Sequence, residues 1–219
     1  MRSKIKWILV LSVLLCMVCS CASGETTYQS LCAQHNLNSA DVIAWLEIPG
    51  AALREPVMRH PEDDTYYAGH GADGKENPFG ALYVQAKYNA ADFLDPVTLI
   101  YGSSMSETAP FGKLQQLYSG SFAQCRSVYM HLPEKTCEYV VFAAIPYTSI
   151  HILHYYDFTT ERRYNSFFDS VFSTRALGMH LDEDNRPEAG KDCVVILSTG
   201  LRGDSLQRYL VMAKPVSHN

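Results

Sequence analysis

Ser198, Thr199 and Gly200 end an apolar run that reads Val194-Val195-Ile196-Leu197. Arg208 stands eight residues after Gly200 and opens a second apolar stretch, Tyr209-Leu210-Val211-Met212. A short β-branched run of this kind fills a buried strand, so the small residues after it sit where the strand meets solvent. A guanidinium returning beside that strand end is suited to hold a carbonyl or stabilise an oxyanion, and the strand end itself suits a nucleophile. Gly200, however, has no side chain to attack with. Ser198 and Thr199 carry hydroxyls at the correct end of the strand, and alternation puts Ser198 on the face of Gly200. A hydroxyl needs an adjacent base. The candidate bases are His151 and His154, in Ile150-His151-Ile152-Leu153-His154, and the weaker His70 in a glycine-flanked loop. Ser103 and Ser104, after the apolar run Val97 to Tyr101, add two more hydroxyls.

The elements that must position these groups are mostly short strands. Asp41 to Ile48 reads as a strand closed by Pro49-Gly50, and Glu55 to His60 as a second. Gly80 to Ala86, Pro96 to Gly102, Ser127 to Leu132 and Glu138 to Tyr147 follow, and the Val194–Met212 hairpin ends the series. Short helices are expected at Thr26 to Asn36 and within Ser106 to Tyr118. The strongest helix is Thr160 to Ala176, where Tyr164, Phe167, Phe168, Val171 and Phe172 share one face. That aromatic stripe is a packing face against a sheet. Many short strands, turn signals and few helices predict a mainly β protein, a closed antiparallel barrel with helices packed outside.

At 219 residues and a net charge of -5, the chain fits one domain and lacks the basic stripe of a nucleic-acid binder. Its first 24 residues read as an export segment. Arg2, Lys4 and Lys6 precede the uncharged apolar stretch Trp7 to Val18, and Glu25 is the first acid. Val18-Cys19-Ser20-Cys21 resembles a bacterial lipobox, which implies cleavage before Cys21 and lipidation of its thiol. An uncleaved anchor over Trp7 to Gly24 and free secretion are the alternatives. Each places residues 25–219 outside the cytoplasmic membrane.

Of the seven cysteines, Cys32, Cys125, Cys137 and Cys193 fall in that domain, with no metal-ligand spacing among them. Cys125 and Cys137 flank a hairpin and are either a disulfide or two free thiols. Cys193, seven residues before Gly200 and so roughly 23 Å away along the strand, reads as a core thiol. The acidic runs Asp63-Asp64 and Asp182-Glu183-Asp184 read as solvated turns. No metal or cofactor is implied.

The ordered landmarks resemble the class B sortases, surface cysteine transpeptidases of bacteria. They are Asp41 to Gly50, Glu55-Pro56-Val57, Asp64-Thr65-Tyr66-Tyr67, Leu99-Ile100-Tyr101-Gly102 with Met105, Phe111-Gly112-Lys113-Leu114 with Tyr118, Leu197-Ser198-Thr199, and Arg208-Tyr209-Leu210-Val211. The resemblance runs from about Tyr28 to Lys214. It implies a closed eight-stranded β-barrel with N-terminal helices and an added helix before the penultimate strand, here Thr160 to Ala176. It also implies a Cys thiolate that attacks a sorting-motif peptide, a His that moves protons and an Arg that holds substrate.

Two of those three groups are missing. Where the family has Tyr-Gly-His-Asn-Met, this chain has Tyr101-Gly102-Ser103-Ser104-Met105, so Ser103 takes the histidine position. Where the family has Leu-Ser-Thr-Cys, this chain has Leu197-Ser198-Thr199-Gly200, so Gly200 takes the nucleophile position. Arg208 retains the arginine position. The resemblance thus implies a catalytically degenerate, membrane-tethered sortase-like protein that binds sorting-motif or pilin peptides or regulates an active sortase. Ser104, Ser198, Thr199, His151 and His154 are its candidate groove residues. The alternatives are an active cysteine or serine transpeptidase or peptidase with relocated groups, and a structural surface lipoprotein.

Overall fold

The computed structural model describes residues 26–37, 39–117 and 122–216. The export segment and Cys21 lie outside the described residues. Among these residues nine strands form one sheet: β1 (Val42–Ile48), β2 (Leu53–Met58), β3 (Leu82–Tyr83), β4 (Val97–Tyr101), β5 (Ser127–His131), β6 (Thr136–Thr148), β7 (His180–Leu181), β8 (Val194–Leu201) and β9 (Asp204–Pro215). Their order is β5-β1-β2-β3-β4-β8-β9-β6-β7, and an added β5–β6 pairing closes the first eight into the barrel. Most pairs are antiparallel, but β2–β3 and β4–β8 are parallel. Three α-helices are described: α1 (Thr27–Gln34), α2 (Ile152–Tyr155) and α3 (Glu161–Phe172). Only α1 precedes the barrel among the described residues.

The alternation of β8 explains why its apolar run is unbroken. Val195 and Leu197 point into the barrel with Val57, Phe111, Val141 and Val211. Val194 and Ile196 point out and are covered by α3, whose Tyr164, Phe167, Phe168, Val171 and Phe172 are all buried. A strand buried on both faces has no polar side to alternate. Each fully buried aromatic or aliphatic side chain of this layer contributes roughly 1.5–3 kcal/mol. A third cluster seats α1 through Leu31 on Trp45, Met58 and Tyr67, and the Trp45 indole N–H donates to Cys32 Sγ at 3.3 Å.

Two expected elements come out differently, and the cysteine alternative is decided. The strand expected over Gly80 to Ala86 shrinks to Leu82–Tyr83, with a single Tyr83↔Tyr101 pair to β4. The edge of β4 is satisfied by a side chain instead. Buried Asn89 accepts from the Leu99 amide at 3.0 Å and donates to the Val97 carbonyl at 2.8 Å, so no further strand is needed there. The helix expected within Ser106 to Tyr118 is a 3₁₀ helix, Gly112–Leu117. Cys125 and Cys137 are free thiols, the first buried.

Candidate functional site

The site lies where the parallel strands β4 and β8 end together. Their register, Val97↔Val194 through Tyr101↔Ser198, brings residues 102–105 beside Gly200. The Gly102 amide extends the ladder to the Ser198 carbonyl at 3.1 Å, and Ser104 Oγ donates to the Gly200 carbonyl at 2.8 Å. On the other side of β8, Gly200 is paired with Arg208 of β9. Packing fixes this corner. A Cβ on Gly102 would lie 2.4 Å from a Leu82 methyl and 2.5 Å from the Phe111 ring, so only glycine fits that turn. A Cβ on Gly200 would meet nothing within 4 Å.

These strand ends floor an open groove of about 460 Å³. Gly200, Arg208, Ser103 and Ser104 line it, as does His151. Tyr83, Gln85 and Tyr101 form one wall, with the two phenol rings stacked at 5.4 Å. Arg208 is half-buried and makes no ion pair among the described residues. Burial raises the pKa of both Tyr83 and Tyr101, and the Arg208 charge opposes that rise in each. Both phenols therefore remain protonated donors.

His151 reaches the groove from the N-terminus of α2, and both ring nitrogens are occupied. Nδ1 accepts the His154 backbone N–H at 3.1 Å as the helix cap, which leaves the proton on Nε2. Nε2 faces Gln85 Oε1 at 2.7 Å and the Tyr101 hydroxyl at 3.4 Å. Burial lowers the His151 pKa, with His154 and Lys87 adding to the effect and Asp64 opposing it. His151 is thus held neutral. No hydrogen bond joins it to Ser103 or Ser104 among the described residues. Ser103 Oγ accepts the Met105 amide at 3.3 Å.

The other expected groups are elsewhere. Ser198 and Thr199, expected as groove residues, are buried and do not line it. Thr199 points into the barrel beside its pair Tyr209, and its hydroxyl has no hydrogen-bond partner among the described residues. His154 is exposed and lines a separate cavity with Tyr88 and Asp157. Cys193, expected in the core, is only half-buried. Its residue precedes the first residue of β8, and its thiol donates to the Leu94 carbonyl at 3.3 Å. Burial and the nearby Asp192, Asp95 and Asp92 raise its pKa. Such a thiol is a poor nucleophile at neutral pH. His70 stacks on Tyr66 at 4.0 Å, away from the groove.

The acidic runs make local turns: Asp63 accepts from Thr65, and Asp182 caps a 3₁₀ turn and pairs with Arg126. Among the described residues no His, Cys, Asp and Glu group could hold a metal. None of the described helices is long and apolar enough to cross a membrane. Tyr83 and Gln85 were not anticipated from the sequence. Their i, i+2 spacing would have placed them on one face of a strand.

No protein-family model matches the chain. The chain is 24% identical over 159 residues to sortase B of Listeria monocytogenes, covering 73% of this chain and 62% of that protein, so it spans under two thirds of the relative's length. Solved structures of similar shape include a mutant form of Clostridium perfringens sortase B (TM-score 0.72, 18% identity, 86% of this chain and 89% of that one). A Staphylococcus aureus sortase B-substrate complex aligns with TM-score 0.70 and 19% identity over 87% of this chain and 92% of that one. A sortase B-like protein from Bacillus anthracis aligns with TM-score 0.70 and 22% identity over 87% and 84%.

Proposed function

We propose that this chain, built on the class B sortase fold, is a sortase-family surface protein that keeps a peptide groove but lacks the nucleophile and base of the transpeptidation reaction. One observation carries the reading. Gly200 and Ser103 face the same groove as Arg208, and among the described residues no thiol lines it. The one histidine in the groove spends Nδ1 on a helix cap and Nε2 on Gln85. In serine proteases, loss of catalytic residues costs about 10⁴ to 10⁶ in kcat, so absence of both groups removes useful turnover here. A guanidinium binds a peptide carbonyl or carboxylate without chemistry. The ligands that fit this reading are sorting-motif or pilin peptides, or a segment of an active sortase. The export segment would hold the domain at the outer face of the membrane.

The test is incubation with a sorting-motif peptide recognised by an active class B sortase, followed by intact-mass spectrometry. We expect bound peptide and no thioacyl adduct; an adduct on any residue of 25–219 overturns the reading. The Ser103→His, Gly200→Cys double variant should gain peptide cleavage if the groove still positions substrate.

A further inference from the structure

The groove is rich in hydrogen-bond donors. Among the described residues Arg208 is the only charged side chain lining it, and no carboxylate faces it. Donors on the groove without an acceptor among the described residues include the Arg208 guanidinium, the Tyr83 hydroxyl and the O–H of Ser103, whose oxygen already accepts from Met105. The space next to Gly200 is open, since a Cβ there would meet nothing within 4 Å. Half-buried donors of this kind are stabilised by an acceptor, and a guanidinium pairs best with a planar two-oxygen anion.

We propose that the groove binds the free C-terminal carboxylate of a peptide in preference to a chain that continues through it. The proposal rests on the peptide-groove reading above and names the chemical form of the ligand. A continuing chain presents one neutral carbonyl oxygen to Arg208, whereas a chain end presents two oxygens and a full charge. One cation matches one negative charge, which favours a carboxylate over a phosphate dianion. The remaining surroundings suit a peptide. The Tyr83–Tyr101 stack and Phe79 offer flat apolar surface, and Met105, 84% exposed, stands at the rim. The room that a thiol would fill at position 200 is left for the second carboxylate oxygen. The site would then hold the product-like end of a cleaved sorting motif.

The experiment uses the full-length chain in detergent and a sorting-motif peptide recognised by an active class B sortase, in three forms: uncut, ending at the cleavage position as the free acid, and ending there as the amide. Fluorescence anisotropy should give the free acid a Kd at least about tenfold below the other two. Arg208→Gln should abolish that preference, and Tyr83→Phe should reduce it severalfold, since one charge-assisted hydrogen bond to the carboxylate is lost. Circular dichroism identifies a variant that fails to fold, and Tyr83→Phe keeps the test valid if Arg208→Gln does. Equal binding of all three forms overturns the carboxylate preference while the peptide groove stands. Binding of none overturns both. Displacement of the acid by inorganic phosphate at equal concentration overturns the assignment to a peptide end.

Discussion

Ser104 donates to the carbonyl of Gly200 at 2.8 Å, joining the loop after β4 to the end of β8 across 96 residues of chain. Positions 103 and 200, which the family resemblance matches to a histidine and a cysteine, are thereby held at one corner by a bond that involves neither side chain. Ser104 is buried, so Ser104→Ala removes a satisfied hydrogen bond and leaves the Gly200 carbonyl one donor short. A loss of about 0.5–1.5 kcal/mol is expected from urea unfolding. Peptide affinity should fall as well, because β8 loses its anchor to the groove floor.

The two glycines of the corner should respond oppositely to substitution. Gly102→Ala drives a methyl into Leu82 and Phe111 and should cost about 1–3 kcal/mol. Gly200→Cys places its side chain in open space on a strand, where replacing glycine removes unfolded-state freedom. Its melting temperature should equal or slightly exceed that of the wild type in differential scanning calorimetry. A large drop in Gly200→Cys would show that the corner is tighter than described.

His151 predicts an acid-sensitive component of stability. Burial depresses its folded pKa below the unfolded value of about 6.5. The unfolded chain therefore takes up the proton first as pH falls. The contribution is complete above pH of about 6.5 and is lost progressively as pH drops through the lowered folded value. Protonation also ends the Nδ1 cap on α2. Glu55 acts in the opposite sense, because burial raises its carboxyl pKa and acidification relieves that cost. The informative comparison is wild type against His151→Gln. Unfolding free energy should fall less between pH 7.5 and pH 5 in the variant.

Cys193 should be slow to alkylate. Burial and three nearby aspartates hold it as a thiol at pH 7, so iodoacetamide should modify it more slowly than a free cysteine peptide, with the rate still rising at pH values where the free peptide has levelled off. Cys193→Ser should leave peptide binding unchanged. Loss of binding in that variant would place the thiol in the working groove after all.

The sequence displayed the ends of this site better than its walls. The apolar run Val194 to Leu197 and the ordered landmarks around Tyr101 and Arg208 located both strands, because buried strands and turns leave local patterns. The wall formed by Tyr83 and Gln85 was overlooked: the i, i+2 pair falls in the strand expected over Gly80 to Ala86, but nothing local ties that stretch, which shortens to Leu82–Tyr83, to the groove. His151 was visible as a histidine near the added helix, but its capping of α2 depends on one backbone N–H and a glutamine 66 residues away. Burial of Ser198 and Thr199 reflects how far β9 and the barrel interior extend past the apolar run, which composition near the strand end does not reveal. Cys193 failed as a core residue for the complementary reason: the run that follows it is buried, and its own position precedes the strand.

The parallel β4–β8 ladder has one more consequence. Its five backbone pairs depend on none of the side chains at 103, 200 or 208. The rim is a by-product of sheet register and of Leu82 and Phe111 pressing on a bare Gly102. Pressure to remain folded is enough to preserve its outline whether or not a bond is cut there. In a chain of this architecture, a well-formed cleft is a record of how the strands pair, and turnover has to be read from the atoms that occupy it.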